Sequence, residues 1–107
     1  MPTEARAEVR ERIQAAIEGN DVMLFMKGEK DAPACGFSAQ VVFILKGYGV
    51  DFETMNVLED WDIREGVKEF SNWPTIPQLY VRGKFIGGCD IAMELHRKGE
   101  LEALIKG

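Results

Sequence analysis

The sequence predicts an α/β fold with a central mixed sheet and helices on both of its faces. Segments whose apolar residues fall at helical spacing alternate with short strand-length runs, the pattern of crossover units. The first run, Val22–Met26, is apolar at every position, as a strand covered on both faces must be. The last two runs are separated only by a turn at Arg82 and Gly83, so they form a hairpin and bring an antiparallel pair into the sheet. The order read from this pattern is helix, strand, helix, strand, helix, strand, strand, helix.

In the first helix Val9, Ile13, Ala16 and Ile17 share one face; Thr3 is placed to cap its start, and Gly19 with Asn20 stops it. The strand at 22–26 delivers Lys27 and Gly28 to a loop over 28–34 that carries Pro33 and several charges. At Cys35 the loop gives way to a helix with Ala39, Val42, Phe43 and Leu45 at its apolar positions and Gly47 and Gly49 at its end. Residues 52–57 form the second strand, parallel to the first by the right-handed crossover rule. Asp60 or Asp62 caps the third helix, which turns Ile63, Val67 and Phe70 inward and carries Arg64 and Lys68 on another face. The hairpin of Leu79, Tyr80, Val81 and Lys84, Phe85, Ile86 is entered through Trp73-Pro74-Thr75-Ile76-Pro77-Gln78. Gly87 and Gly88 then lead to Cys89 and to Asp90, the expected N-cap of a final helical region. That region holds Ile91, Met93 and Leu95 and is interrupted at Gly99 before Leu101, Leu104 and Ile105.

A chain of 107 residues with 46% hydrophobic content carries one core and reads as a single domain. The net charge of −5, with 13 basic residues scattered along the chain, argues against nucleic acid as a partner, which demands clustered Lys and Arg. No apolar run nears the roughly 18 residues of a membrane span, and the acidic N-terminus has the composition of neither a transit peptide nor a signal peptide. Two cysteines are too few for a disulfide scaffold and fit a reducing compartment, so the expected location is cytoplasmic.

The chemistry concentrates at Cys35. A thiol at a helix start meets unpaired backbone N–H groups and the positive end of the helix dipole, which favour the thiolate, and Lys27 adds a nearby positive charge. Three residues on, where a second cysteine would close an intramolecular disulfide, stands Ser38, so the sulfur finds its partner elsewhere. Cys89 follows an apolar strand and two glycines and reads as a buried, inert thiol rather than a second ligand. A disulfide between Cys35 and Cys89 under oxidation depends on their separation. Trp73 reads as packing beside a proline turn, Lys68 and Arg82 as solvated charges, and His96 as a surface residue.

Three separated motifs, Cys35-Gly36-Phe37-Ser38, Trp73-Pro74-Thr75-Ile76-Pro77-Gln78 and Gly87-Gly88-Cys89-Asp90, occur in the order and element context of a thioredoxin fold. In them the chain closely resembles the monothiol glutaredoxins of the single-domain C-G-F-S class, over essentially its whole length. The resemblance implies a thioredoxin fold with a central four-stranded mixed sheet flanked by helices. It also implies a glutathione site in which Lys27 and Arg64 meet the glycine carboxylate, the backbone at Ile76 pairs with the cysteinyl part, and Cys89 and Asp90 hold the γ-glutamyl end. Pro77 would follow a cis peptide bond, and residues 29–34 match the longer approach to the cysteine that this class shows. The physical reading agrees: glutathione is an anionic tripeptide, so two cations and two helix N-termini converging on a groove form a receptor in an otherwise acidic chain.

A [2Fe–2S] cluster normally takes four thiolates, and one well-placed cysteine from each of two chains plus two glutathiones supplies them. The resemblance therefore implies a labile cluster bridged in a homodimer, with Cys35 as the protein's metal ligand. Its role would lie in iron–sulfur cluster storage, transfer to apo iron–sulfur proteins, and iron homeostasis. A BolA-like protein is an implied partner in a mixed dimer. The alternative is a glutathione-dependent thiol–disulfide oxidoreductase with Cys35 as catalytic nucleophile, since monothiol exchange needs only one protein cysteine. A third reading is a binding module whose cysteine is structural.

Overall fold

The computed structural model describes residues 3–107, apart from the side chains of Thr3 and Glu4, so the cap expected from Thr3 lies outside the described residues. The elements run α1 (Thr3–Glu18), β1 (Val22–Met26), β2 (Gly28–Glu29), β3 (Ala32–Pro33), α2 (Gly36–Gly47), β4 (Glu53–Asn56), α3 (Trp61–Ser71), β5 (Gln78–Val81), β6 (Lys84–Gly87), α4 (Cys89–Arg97) and α5 (Glu100–Lys106). This is the expected order with one addition, the small β2–β3 hairpin inside what reads as a plain loop before Cys35. The break at Gly99 falls where the sequence puts it, with the glycine in the left-handed conformation at φ 76°.

Four strands form one mixed sheet in the order β4-β1-β5-β6. β1 runs parallel to β4 and antiparallel to β5, and β5 pairs antiparallel with β6. All five residues of β1 are buried. Met23 and Phe25 pack with Ile13, Ile17, Ile63 and Val67 from α1 and α3; Val22, Leu24 and Met26 pack with Val42, Leu45, Ala92 and Leu101 from α2, α4 and α5. Two apolar layers need both faces of the central strand, which is why its apolar run is continuous. The strand expected over 52–57 pairs only over Glu53–Asn56, although the Val57 N–H still reaches the Met26 carbonyl at 2.9 Å.

Several side chains depart from the sequence reading. Phe43 is 79% exposed, because the buried face of α2 is set by Ser38, Val41, Val42 and Leu45, spaced i, i+3, i+4, i+7, and Phe43 lies off it. Asp60, not Asp62, caps α3, its carboxylate accepting the N–H groups of Asp62 at 3.0 Å and Ile63 at 3.2 Å. Asp90 does not cap α4: the helix begins one residue earlier, with Gly88 as an N-cap that has no side chain to offer, and Asp90 sits exposed in the first turn. That earlier start turns Cys89 and Ala92 inward and leaves Ile91 and Met93 largely on the surface. Arg82 is not a free surface charge, since its guanidinium donates to the Leu104 and Ile105 carbonyls and ties the hairpin turn to the end of α5.

Candidate functional site

The sulfur of Cys35 is placed by the start of α2 and the end of β1. Cys35 is the N-cap of α2, in extended backbone conformation, and its Sγ accepts the Ser38 N–H at 3.4 Å. The Ser38 hydroxyl, fully buried, lies 3.4 Å from the same sulfur and accepts the Lys27 N–H at 3.1 Å. The neutral thiol donates to the hydroxyl oxygen, and once the sulfur is ionised the hydroxyl proton turns to donate to it. Desolvation is the largest single influence on the thiol and pushes its pKa up. The Ser38 hydroxyl, the N–H groups of Ser38 and Phe37, and the Lys27 charge together outweigh it, so Cys35 lies below the ordinary thiol range. The four-residue motif thus uses its serine as a hydrogen-bond donor to a thiolate in the place where a dithiol site would carry a second sulfur.

The approach to the sulfur is fixed rather than loose. Gly28 has φ 90°, and a Cβ there would fall 2.4 Å from the Ala34 nitrogen and 2.6 Å from the Ala32 oxygen, so only glycine lets β2 fold onto β3. The Ala34 N–H closes onto the Lys27 carbonyl at 2.9 Å. Asn56, at the end of β4, accepts the Gly28 N–H at 2.9 Å and the Leu58 N–H at 3.0 Å through one side-chain oxygen. Lys30 in the hairpin turn lies 4.4 Å from the Phe52 ring centre and donates to the Phe52 carbonyl, while Asp31 pairs with Lys46 on α2 at 2.8 Å.

Beside the sulfur lies a cleft of about 420 Å³. Its wall brings together Lys27, Arg64, Ile76, Cys89 and Asp90, every residue that the sequence assigns to a binding site apart from Cys35 itself. Cys35 is not part of that wall, but its charge interacts with two members of it, Lys27 and Cys89. The Ile76–Pro77 bond is cis. Cys89 is buried, its thiol donates to Gln40 Oε1 at 3.1 Å, and desolvation, followed by the charges of Asp90 and Cys35, pushes its pKa up. It is the inert thiol that its context predicts, and it contributes to the cleft as the first residue of α4.

Three further residues that the sequence does not assign shape the cleft, two of them from within its wall. Lys68 lines the cleft with only 27% of its side chain exposed, held by Glu65 at 3.1 Å, so it is not a solvated charge. Trp73 both packs on Phe85, with ring centres 5.8 Å apart, and lines the cleft. Gln78, fully buried, has no contact with the cleft but builds it: its amide donates to the Trp73 and Thr75 carbonyls at 3.1 and 3.2 Å and so braces the loop that carries Ile76. The signal for Gln78 is a lone amide entering an otherwise apolar strand, a buried polar group that has to be paired. Two buried donors of the wall, Arg64 Nε and Trp73 Nε1, have no acceptor among the described residues. Leaving such donors unpaired costs about 1–3 kcal/mol each, which a ligand rich in carbonyl and carboxylate oxygen relieves. His96 is exposed, as expected, with its Nδ1 against the Tyr48 hydroxyl.

The cleft and the sulfur can be set beside known proteins. The glutaredoxin family model matches residues 22–86. A probable monothiol glutaredoxin of Rickettsia prowazekii is 58% identical over 96 residues, 90% of this chain and 90% of that protein. An uncharacterized monothiol glutaredoxin of Synechocystis is 54% identical over 92% of each chain. Among solved structures, the reduced apo form of poplar GrxS14 superimposes with a TM-score of 0.81 at 47% identity, covering 92% of this chain and 90% of that one. A buckwheat glutaredoxin in complex with glutathione does so with a TM-score of 0.88 at 25% identity, over 99% and 94% of the two chains. With the thioredoxin-type sheet, the single cysteine at the start of α2 and a serine three residues on, these likenesses have one meaning: the chain belongs to the glutaredoxin family, among the monothiol glutaredoxins.

Proposed function

We propose that this monothiol glutaredoxin binds glutathione in the cleft and holds a labile [2Fe–2S] cluster between two chains. Each chain would supply Cys35 and each bound glutathione its thiol. On this reading its work is the storage of clusters, their transfer to apo iron–sulfur proteins, and iron homeostasis, in a reducing compartment such as the cytoplasm. The observation that carries the reading is the state of the two cysteines. Cys35 is partly exposed with its thiol pKa lowered, whereas Cys89 is buried with its pKa raised, so Cys35 is the sulfur that one chain offers most readily as a ligand. Among the described residues no group of three or more His, Cys, Asp or Glu side chains could hold a metal alone. The remaining ligands must therefore come from outside the chain, and the cleft beside Cys35 fits the molecule that would bring them.

In that cleft Lys27 and Arg64 would meet the glycine carboxylate, with Lys68 adding positive charge. The backbone at Ile76 would pair with the cysteinyl residue by strand-like hydrogen bonds. The backbone N–H groups at the start of α4, around Cys89 and Asp90, would donate to the γ-glutamyl carboxylate. A BolA-like protein could replace the second chain by supplying a histidine ligand. The acidity of Cys35 also favours a second reading, glutathione-dependent thiol–disulfide exchange. There the Cys35 thiolate attacks the glutathione sulfur of a mixed disulfide and expels the substrate thiolate; a second glutathione thiolate then attacks that same sulfur, releasing glutathione disulfide and restoring Cys35.

Anaerobic reconstitution with iron, sulfide and glutathione, followed by visible absorption and size exclusion with a control lacking glutathione, separates the two. The carrier reading expects a glutathione-dependent dimer holding one cluster per two chains, and Cys35→Ser abolishing it while leaving the fold intact. A stoichiometric cluster retained in Cys35→Ser removes the ligand assignment. A colourless monomer that turns over glutathionylated substrate transfers the function to exchange.

A further inference from the structure

Trp61, the first residue of α3, is 65% exposed and takes no part in either core layer. A large aromatic side chain left in water at a helix start gains little from burial, so its contacts define what it does. Its ring lies 5.2 Å from the Arg64 guanidinium carbon, one helical turn on, in a cation–π contact. Arg64 is the wall residue whose Nε is buried without an acceptor, and among the described residues it forms no ion pair. The neighbouring wall cation, Lys68, is held differently, by the Glu65 carboxylate at 3.1 Å, which offsets part of its charge.

The contrast has a chemical consequence. A carboxylate that orients a guanidinium occupies its N–H donors and cancels its field, whereas an aromatic ring offers no acceptor oxygen and leaves the positive charge in place. The contact puts no carboxylate on the Arg64 N–H donors and limits where the guanidinium can swing, and a bidentate carboxylate contact depends on that placement. We infer that Trp61 is a positioning residue that holds the Arg64 guanidinium for the carboxylate end of the ligand and sharpens the cleft's preference for carboxylate-terminated peptide thiols. The inference rests on the glutathione reading of the cleft and adds to it a residue outside the wall.

The test measures glutathione and its glycine monoethyl ester, which lacks the terminal carboxylate, by calorimetry on the wild-type protein, Trp61→Ala, Trp61→Phe, Arg64→Ala and the Trp61→Ala, Arg64→Ala double variant. Circular dichroism checks that each variant is folded. Trp61→Ala should bind glutathione about two- to fivefold more weakly, the range of an exposed cation–π contact, and bind the ester as the wild type does. Trp61→Phe should recover most of the loss, and Trp61→Ala should have no further effect in an Arg64→Ala background. Equal weakening for both ligands, or no weakening, overturns the role of Trp61 while leaving the cleft reading intact. A wild-type protein that binds glutathione no better than its ester overturns the carboxylate assignment of Arg64 and the Trp61 role with it.

Discussion

Removing one hydroxyl, Ser38→Ala, tests how this site makes a thiolate. The Ser38 oxygen has two partners, the Lys27 N–H at 3.1 Å and the Cys35 sulfur at 3.4 Å, and the side chain is fully buried. Alanine leaves the Lys27 amide without its acceptor, a cost of about 1–3 kcal/mol in folding stability. It also takes away the strongest of the influences that favour the thiolate, so the Cys35 pKa should rise toward the ordinary value while the N–H groups of Ser38 and Phe37 and the Lys27 charge still act. Cys35 titrates lower in the folded chain than in the unfolded one, so its ionisation stabilises the fold fully only above the unfolded pKa, and that contribution fades as pH falls through the folded value. The stability gap between wild type and Ser38→Ala should therefore widen as pH rises into the alkaline range. Iodoacetamide alkylation rates and thiolate ultraviolet absorbance across pH report the titration, and urea unfolding at several pH values reports stability. An unchanged alkylation midpoint would refute the hydroxyl's role and leave the acidity to the helix-start N–H groups and the Lys27 charge.

Two further substitutions test the frame. Gly28→Ala forces a side chain into left-handed backbone with Cβ contacts of 2.4 and 2.6 Å to main-chain atoms. It should lose about 2–4 kcal/mol, from the conformational cost plus overpacking, and a loss below about 1 kcal/mol in urea unfolding would show that the β2–β3 hairpin is free to rearrange. Gln78→Leu keeps most of the buried volume but strips the Trp73 and Thr75 carbonyls of their donor. It should cost about 1–3 kcal/mol and weaken glutathione binding, and unchanged affinity would separate the loop's bracing from the cleft's shape.

What could be read from the chain was whatever depends on period or on motif. The layered sheet follows from Val22–Met26 and the helical spacings around it, and Lys27, Arg64, Ile76, Cys89 and Asp90 converge on one cleft as the motifs imply. What escaped depends on a boundary or on a partner. Asp90 is a good cap by composition, but two glycines upstream allow α4 to begin at Cys89, and that one-residue difference turns Ile91 and Met93 outward. Phe43 satisfies a loose helical spacing, yet α2 buries a strip wide enough only for Ser38, Val41, Val42 and Leu45 with Ile44. Lys68, Arg82 and Asn56 look like ordinary surface polar residues until their partners appear: Glu65, the end of α5, and the amides of Gly28 and Leu58. Trp61 gives no sequence signal either, because its meaning depends on the guanidinium one turn away.

The geometry around the sulfur converges on one junction, the end of β1. The Lys27 amide orients the Ser38 hydroxyl, the Lys27 carbonyl receives the Ala34 N–H that closes the hairpin before Cys35, and the next amide, at Gly28, is held by Asn56 from the neighbouring strand. The Lys27 side chain meanwhile lines the cleft and lowers the Cys35 pKa. Backbone and side chain of one residue thus do separable things, the first fixing where the sulfur is and the second biasing its charge. Because β1 is the central strand, buried on both faces and paired on both edges, the junction is anchored in the most constrained part of the fold. The reactive group stays at the surface, where a ligand and a second protein can reach it, while its position is set from the core.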